Sequence, residues 1–425
     1  MNVVVEFEPE LDVLRSAAFR KSGDIYERVL ERATEDGQSE SRSVSDHGVL
    51  ESPGCTATRM RILRVAPKVY PDVTGGGPYH VHAMSRDQAA MGHDVTVVTT
   101  KAAASLPDAE DTHGYEIIRL PTGLTVAGND LSPWMARYLW RHAREYDVVH
   151  AHSHMYFATN LAAVVRRLGG VPLAITNHGL YSQSAPEWAF DAYLRTLGRW
   201  TLNQPDVIFC YTERDEARLR DIGVRSRIAV VPNGIETERF RPEGAESELL
   251  TMEGSVVLYV GRLVEGKRPG DAVRAVARLR ETRPGVELFL CGEGPRREEV
   301  VGLADELGVG DAVHLLGHQP YDEMPRVYRA GDALMLPSRA EGMPRTVIEA
   351  MASGLPVVAS NLEQVAPVVE RAGIAVPVGD VAGFAAGLGQ VLEGDTGDPR
   401  AVVEEGFDWA ETVEGTTAVL EELHS

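Results

Sequence analysis

Two glutamates eight residues apart, Glu341 and Glu349, bracket the stretch Glu-Gly-Met-Pro-Arg-Thr-Val-Ile-Glu, which runs on through Ala-Met-Ala-Ser-Gly-Leu-Pro-Val-Val-Ala-Ser. The first follows an expected strand end at 332–337 and a polar turn at 338–340; the second lies on a helix expected to begin near Met343. At a helical rise of about 1.5 Å per residue they stand up to about 12 Å apart. That span suits hydrogen bonding to both ends of a nucleotide sugar, its sugar ring and its ribose. A lone pair of glutamates is more often a solvated surface feature. Here, however, Gly342 permits close backbone approach, and the helix start supplies unpaired N–H groups where a pyrophosphate can bind.

A second loop, Gly261-Arg262-Leu263-Val264-Glu265-Gly266-Lys267, follows an apolar run. An arginine fork and a lysine point charge at a strand end can together neutralise a diphosphate. A surface salt bridge is the plain alternative, but lysine is scarce: Lys21, Lys68, Lys101 and Lys267 are the four among 42 basic residues. The triple glycine Gly75, Gly76, Gly77 precedes a helical stretch and either lets main chain approach a phosphate or acceptor or forms only a flexible loop. His178, in Thr176-Asn177-His178-Gly179, also follows a strand and reads equally, taken alone, as a buried structural histidine. His150-Ala151-His152-Ser153-His154 would place three imidazoles on one side of an extended chain, a minor zinc reading beside acceptor or structural roles. The chain contains no Asp-x-Asp sequence.

Strand ends must hold these residues. Apolar runs suited to buried parallel strands occur at 62–66, 94–99, 115–120, 148–150, 172–176 and 206–210, with helical stretches between them. After Val231-Pro232-Asn233-Gly234 the alternation restarts at 255–260, 286–291, 313–316, 333–336 and 356–359. This rhythm predicts an α/β chain of two doubly wound domains, 59–230 and 231–405, followed by a C-terminal helix within 406–425 from Trp409. Ligands in such sheets bind beyond the carboxyl ends of the strands. Residues 1–58 read as a separate extension, with helical periodicity at 8–35 and a polar linker at 36–53, docked or disordered.

Composition sets outer limits. With 425 residues and 44% hydrophobic content the chain can bury two cores, and no apolar run approaches a membrane span. The start carries Glu6 and Glu8 where a secretory signal would be basic and apolar. Three widely spaced cysteines, Cys55, Cys210 and Cys291, give neither a disulfide framework nor a zinc ribbon, so a cytoplasmic setting is expected. A formal charge of -21 argues against nucleic-acid binding. It also suggests a halophilic protein, because molar salt screens such self-repulsion. One local exception is the stretch with Trp134, Met135, Tyr138, Leu139 and Trp140 among Arg137, Arg141 and Arg144, a composition that can lie on an anionic inner membrane surface or form an ordinary amphipathic core helix.

Residues 59–425 resemble the retaining GT-B glycosyltransferases of family four, also called glycosyl transferases group 1. The resemblance rests on Gly75-Gly76-Gly77-Pro78-Tyr79-His80-Val81, Gly92-His93-Asp94-Val95-Thr96-Val97-Val98-Thr99, Thr176-Asn177-His178-Gly179, Val231-Pro232-Asn233-Gly234-Ile235, the 261–267 loop, Gly292-Glu293-Gly294-Pro295 and the 341–349 signature, in the family's order. It implies two Rossmann-like domains facing across a cleft, and transfer of a hexose or similar sugar from a nucleotide diphosphate donor with retention of anomeric configuration. By the resemblance Arg262 and Lys267 hold the diphosphate, Glu349 takes the ribose hydroxyls, Glu341 contacts the transferred sugar, and His178 faces the reacting centre. Gly75, Gly76, Gly77 and Gly294 belong to the cleft. Pro344 departs from the family's usual glycine, which moves phosphate-binding N–H groups after Gly342 to Met343, Arg345 or Thr346. The stretch 360–365 departs from a common Gly-Gly pair. No cofactor and no essential metal are expected. The acceptor is unassigned, with a lipid-linked one among the options. A GT-B epimerase or phosphorylase, or a non-catalytic sugar-nucleotide binding protein, is the alternative function.

Overall fold

The computed structural model describes residues 59–126, 128–181, 187–250, 253–394 and 396–424. The helix and linker expected within 1–58, and Cys55, lie outside the described residues. Ten strands form in the first half: β1 (Arg61–Val65), β2 (Asp94–Thr100), β3 (Ala109–Thr112), β4 (Tyr115–Leu120), β5 (Leu124–Val126), β6 (Asn129–Leu131), β7 (Val148–His152), β8 (Leu173–Thr176), β9 (Val207–Cys210) and β10 (Arg227–Val230). Eight of them make one sheet in the order β10-β9-β8-β7-β1-β2-β4-β3, parallel except for the β3–β4 pair, while β5 and β6 form a separate hairpin. The second half builds a six-stranded sheet from β11 (Ser255–Val260), β12 (Val286–Cys291), β13 (Val313–Gly317), β14 (Ala333–Leu336), β15 (Val357–Ser360) and β16 (Ile374–Val376), ordered β13-β12-β11-β14-β15-β16 and parallel throughout.

Helices cover both faces of each sheet. Central strands such as β7, β8 and β14 are therefore buried along their whole length; β8 and β14 are almost wholly apolar, while β7 also buries His150 and His152. In the second domain one core packs Leu258, Leu334 and Ile348 and the other packs Val257, Met335 and Val276, on opposite sides of the same strands. Alternation of side chains along a strand produces that division. The final helix, Trp409–His424, returns to the first domain: Trp409 and Val413 join Tyr79, Ala83 and Met84, and Leu420 joins Met60 and Ile62.

Each sheet reverses direction at one point. In the first, the chain moves from β1 outward to β2 and then back past β1 to β7; in the second, β12 and β14 flank β11. The loops leaving β1, β7, β11 and β14 therefore splay apart and open a crevice at the carboxyl ends, where open α/β sheets bind ligands.

Candidate functional site

β11 and β14 are hydrogen-bonded neighbours. Their exit loops carry Lys267 and Glu341, whose Nζ and Oε1 lie 2.5 Å apart with both side chains largely buried. A main-chain bond from Arg339 N to Gly266 O, 2.8 Å, locks the two loops together. Arg262 lies exposed on the same β11 loop. The Gly292–Pro295 turn leaving β12 packs beneath it: Leu263 N donates to Glu293 O and Arg296 N to Leu263 O. A Cβ on Gly294 would collide with the Leu263 carbonyl, so close packing against the arginine loop accounts for glycine there.

The helix carrying the second glutamate runs Arg345–Ala352, two residues later than expected. Pro344 sits at its N-cap because a residue lacking N–H loses nothing at a helix start. Glu349 is buried and accepts from the Tyr321 hydroxyl at Oε1, 2.9 Å, and from the Tyr328 hydroxyl at Oε2, 3.0 Å, with the Arg345 guanidinium 3.6 Å away. Each carboxylate oxygen keeps capacity for another donor. Burial and the Glu349 charge hold both tyrosine hydroxyls protonated. Thr346 has a buried hydroxyl oxygen with no partner among the described residues.

Arg345 turns its side chain toward the first domain. It donates to Gly234 O at 3.2 Å and to the Tyr321 hydroxyl at 3.2 Å, and lies over the rings of Tyr79 and Trp409. A Cβ on Gly76 would come within 3.3 Å of its Cδ, whereas Gly77 has open space. Gly75, at φ 141°, supplies the turn that starts the Gly76–Ala90 helix. The triple glycine therefore faces the second domain across the crevice, although Gly76 approaches a side chain. Asn233 links the domains as well, bonding His80 Nδ1 at 3.2 Å and donating to Met343 O at 3.3 Å.

Opposite Glu341 lies the loop leaving β8. A Cβ built on Gly342 would stand 2.7 Å from the His178 carbonyl oxygen and 3.6 Å from the Gly179 Cα. His178 is thereby placed against the 341–343 loop. Its ring belongs to a row across three neighbouring strand ends: Tyr211 hydroxyl to His178 Nδ1, 2.6 Å, and His178 Nε2 to His152 Nδ1, 3.1 Å. His80 packs edge-on at 5.2 Å between ring centres. Burial, reinforced by the Arg345 charge, lowers the His178 pKa to about 4, so the ring is neutral. Burial also pushes His80, His150 and His152 well below the ordinary histidine value.

The three imidazoles of 150–154 do not converge. β7 ends at His152, and Ser153 turns to φ 62°, which breaks the alternation before His154. His150 bonds Thr176 Oγ1, His152 bonds His178 and His154 bonds Asn177 Oδ1. Among the described residues no group of three histidine, cysteine or acidic side chains is arranged to hold a metal. Asn233 stood within the quoted Val231–Ile235 segment without a role of its own; Tyr211, Tyr321 and Tyr328 were not singled out from sequence. Of these only Tyr211 had a local signal, as the first residue after an apolar strand.

The Glycosyltransferase Family 4 model matches residues 74–239 and the Glycosyl transferases group 1 model residues 240–409. The chain is 30% identical to the glycogen synthase of Mycobacterium tuberculosis over 84% of this chain and 94% of that protein. It is also 30% identical to the D-inositol 3-phosphate glycosyltransferase of Nocardia farcinica, over 89% and 93%. Among solved structures it is similar to sucrose-phosphate synthase from Thermosynechococcus elongatus (TM-score 0.75, 22% identity, 85% of this chain and 99% of that one). Anabaena HepE in complex with UDP-glucose gives TM-score 0.69 at 19% identity, over 86% and 100%. Two matching family models in tandem and relatives aligned along nearly their full length agree with the twin parallel sheets and their crevice: the chain belongs to glycosyltransferase family 4 and has the GT-B fold.

Proposed function

We propose that this glycosyltransferase moves a hexose or similar sugar from a nucleoside diphosphate to an acceptor hydroxyl with retention at the anomeric carbon. The observation that carries the reading is the Lys267–Glu341 pair at the reversal point of the second sheet, pressed through Gly342 against the His178 loop of the first. The named relatives, a glycogen synthase and an inositol phosphate glycosyltransferase, and the UDP-glucose complex of a structural neighbour make a uridine diphosphate hexose the first donor to test.

In this reading Arg262 and Lys267 meet the diphosphate, and Met343, Arg345 and Thr346 offer main-chain N–H groups at the helix start. Glu341 grips hydroxyls of the transferred sugar. Glu349, held by two tyrosines, takes the ribose. As the bond from the anomeric carbon to the phosphate oxygen breaks, negative charge grows on the diphosphate, and fixed positive groups lower the barrier. The acceptor oxygen bonds to the same face of the anomeric carbon, and its proton passes to the departing phosphate oxygen. His178, a neutral ring, contributes as an oriented dipole beside the sugar. This scheme requires neither a metal nor a protein nucleophile.

Lys267→Ala and Glu341→Ala are each expected to lower transfer at least tenfold, about 1.4 kcal/mol of barrier, with the fold kept although each leaves a largely buried charge unpaired. Steady-state assays on both variants, after a thermal-shift screen of nucleotide sugars in molar salt identifies the donor, test the assignment; near-normal turnover in both would sink it. Proton NMR of the first product reports the anomer, and an inverted product removes the retaining scheme. Free epimerised sugar, or dependence on inorganic phosphate, would mark an epimerase or a phosphorylase instead.

A further inference from the structure

Nine of the fifteen large apolar side chains exposed among the described residues fall between Leu124 and Trp200. They include Trp134, Trp140, Trp188 and Trp200, four of the chain's five tryptophans. Single exposed apolar residues need no explanation, but a concentration of this kind does. The same segment reverses the charge of the molecule. It carries seven arginines and five acids, within a chain whose formal charge is -21.

Three neighbouring pieces of the first domain present these groups. On the Pro133–His142 helix, Met135 and Leu139 face the core while Trp134, Arg137, Trp140 and Arg141 point outward, so tryptophan and arginine share one exposed stripe. That helix packs on Phe157–Gly169, which turns Val164, Arg167 and Leu168 outward. The latter helix packs in turn on Arg199–Leu202, pinned by Asn160 Nδ2 to Thr201 Oγ1 at 3.0 Å. Along 188–200 the outward residues include Trp188, Arg195, Leu197 and Trp200. Trp188 is 76% exposed and Trp140 61%, so neither ring is shielded by its own domain. Arg137, Arg141, Arg167 and Arg195 form no ion pair with any described residue, although acids abound elsewhere on the molecule.

We propose that this three-helix face rests on an anionic lipid bilayer, with the tryptophans at headgroup depth and the arginines on lipid phosphates. Indole rings favour the water–hydrocarbon boundary, and guanidinium groups beside them pair with phosphate while their stems cover apolar surface. An anionic surface repels the acidic chain as a whole but attracts such a basic island, and the exposed tryptophans beside it select this side for docking. The face adjoins the first-domain side of the crevice: Phe157–Gly169 follows strand β7, which ends at His152, and the turn with His154, and Tyr193 donates to His154 O at 2.7 Å. A protein seated this way would receive a lipid-linked acceptor from the membrane plane.

The test is flotation of the full chain with vesicles of phosphatidylcholine alone and of phosphatidylcholine with phosphatidylglycerol, at low and at molar salt. Wild type should float with the anionic vesicles and much less with the neutral ones, with tryptophan fluorescence shifting to the blue. Trp134→Ser with Trp140→Ser, Trp188→Ser with Trp200→Ser, and Arg137→Glu with Arg141→Glu should each cut the bound fraction about tenfold. An unchanged donor-induced thermal shift in each variant shows that the fold and donor site persist, which separates failure here from failure of the transfer reading. The proposal is overturned if wild type stays at the bottom of the gradient with every vesicle, or if the variants float as well as wild type. Sedimentation showing a dimer that the tryptophan variants abolish, without flotation, would assign the face to a second copy of the chain and equally overturn it.

Discussion

His178 is held at both ring nitrogens before any substrate arrives. If the Tyr211 hydroxyl donates to Nδ1, then Nε2 carries the proton and donates to His152 Nδ1; with the opposite tautomer the whole row reverses. In either case Tyr211 sets the ring angle from within the first domain. Tyr211→Phe should therefore lower kcat roughly tenfold and leave the donor KM nearly unchanged, since an oriented dipole acts on the transition state more than on binding. His178→Gln should show the same split. A rise in KM at constant kcat would argue for a contact with ground-state donor instead. The lowered pKa also fixes the pH profile. A ring that ordinarily charges near 6.5 stays neutral here until about 4. The rate due to this group should stay level as pH falls through 6.5 and drop only as it approaches 4; a break at 6.5 would mean that the ring is hydrated.

At the proposed site the two domains meet loop to loop. Gly342 on the β14 exit loop and the His178 carbonyl on the β8 exit loop meet where a methyl group cannot fit without movement. Gly342→Ala should wedge them apart. We expect at least a tenfold loss of transfer and a destabilisation of about 1–3 kcal/mol, the usual cost of overpacking, read by turnover and by thermal melting. Gly76→Ala is the milder comparison, because its new methyl would stand 3.3 Å from the Arg345 Cδ, where Gly342→Ala would stand 2.7 Å from a backbone carbonyl oxygen. Equal behaviour of the two variants would show that the Gly342 contact does not govern closure.

At the scale of the whole molecule charge dominates. With 63 acidic and 42 basic residues, the folded chain concentrates like charges that the unfolded chain spreads out. Raising salt from about 0.1 M to 1 M shortens the screening length from about 10 Å to about 3 Å, so repulsion between separated acids fades while buried pairs such as Lys267–Glu341 persist. The melting temperature should rise steadily with potassium chloride into the molar range, and near-UV circular dichroism should weaken in dilute buffer. Full stability in dilute buffer would refute the high-salt assignment.

The buried centre of each sheet was legible in sequence because strands covered on both faces are predominantly apolar, as β8, β11 and β14 are, with Arg64, His150 and Glu287 as polar insertions in β1, β7 and β12. Edge strands obey no such constraint. β3 reads Ala-Glu-Asp-Thr and β10 lies half in solvent, so neither carried a period to find. Lys267, Glu341 and His178 could be chosen for their place just after strands, a local property of the chain. The long-range contacts around them could not: Tyr211 is 33 residues from His178, and Asn233 is 110 from Met343. Such pairs depend on which strands lie side by side and how one domain closes on the other, and parallel crossovers leave that order to tertiary packing. Residue types and loop positions thus determined the family and the candidate chemistry; only the fold decided which of those groups touch.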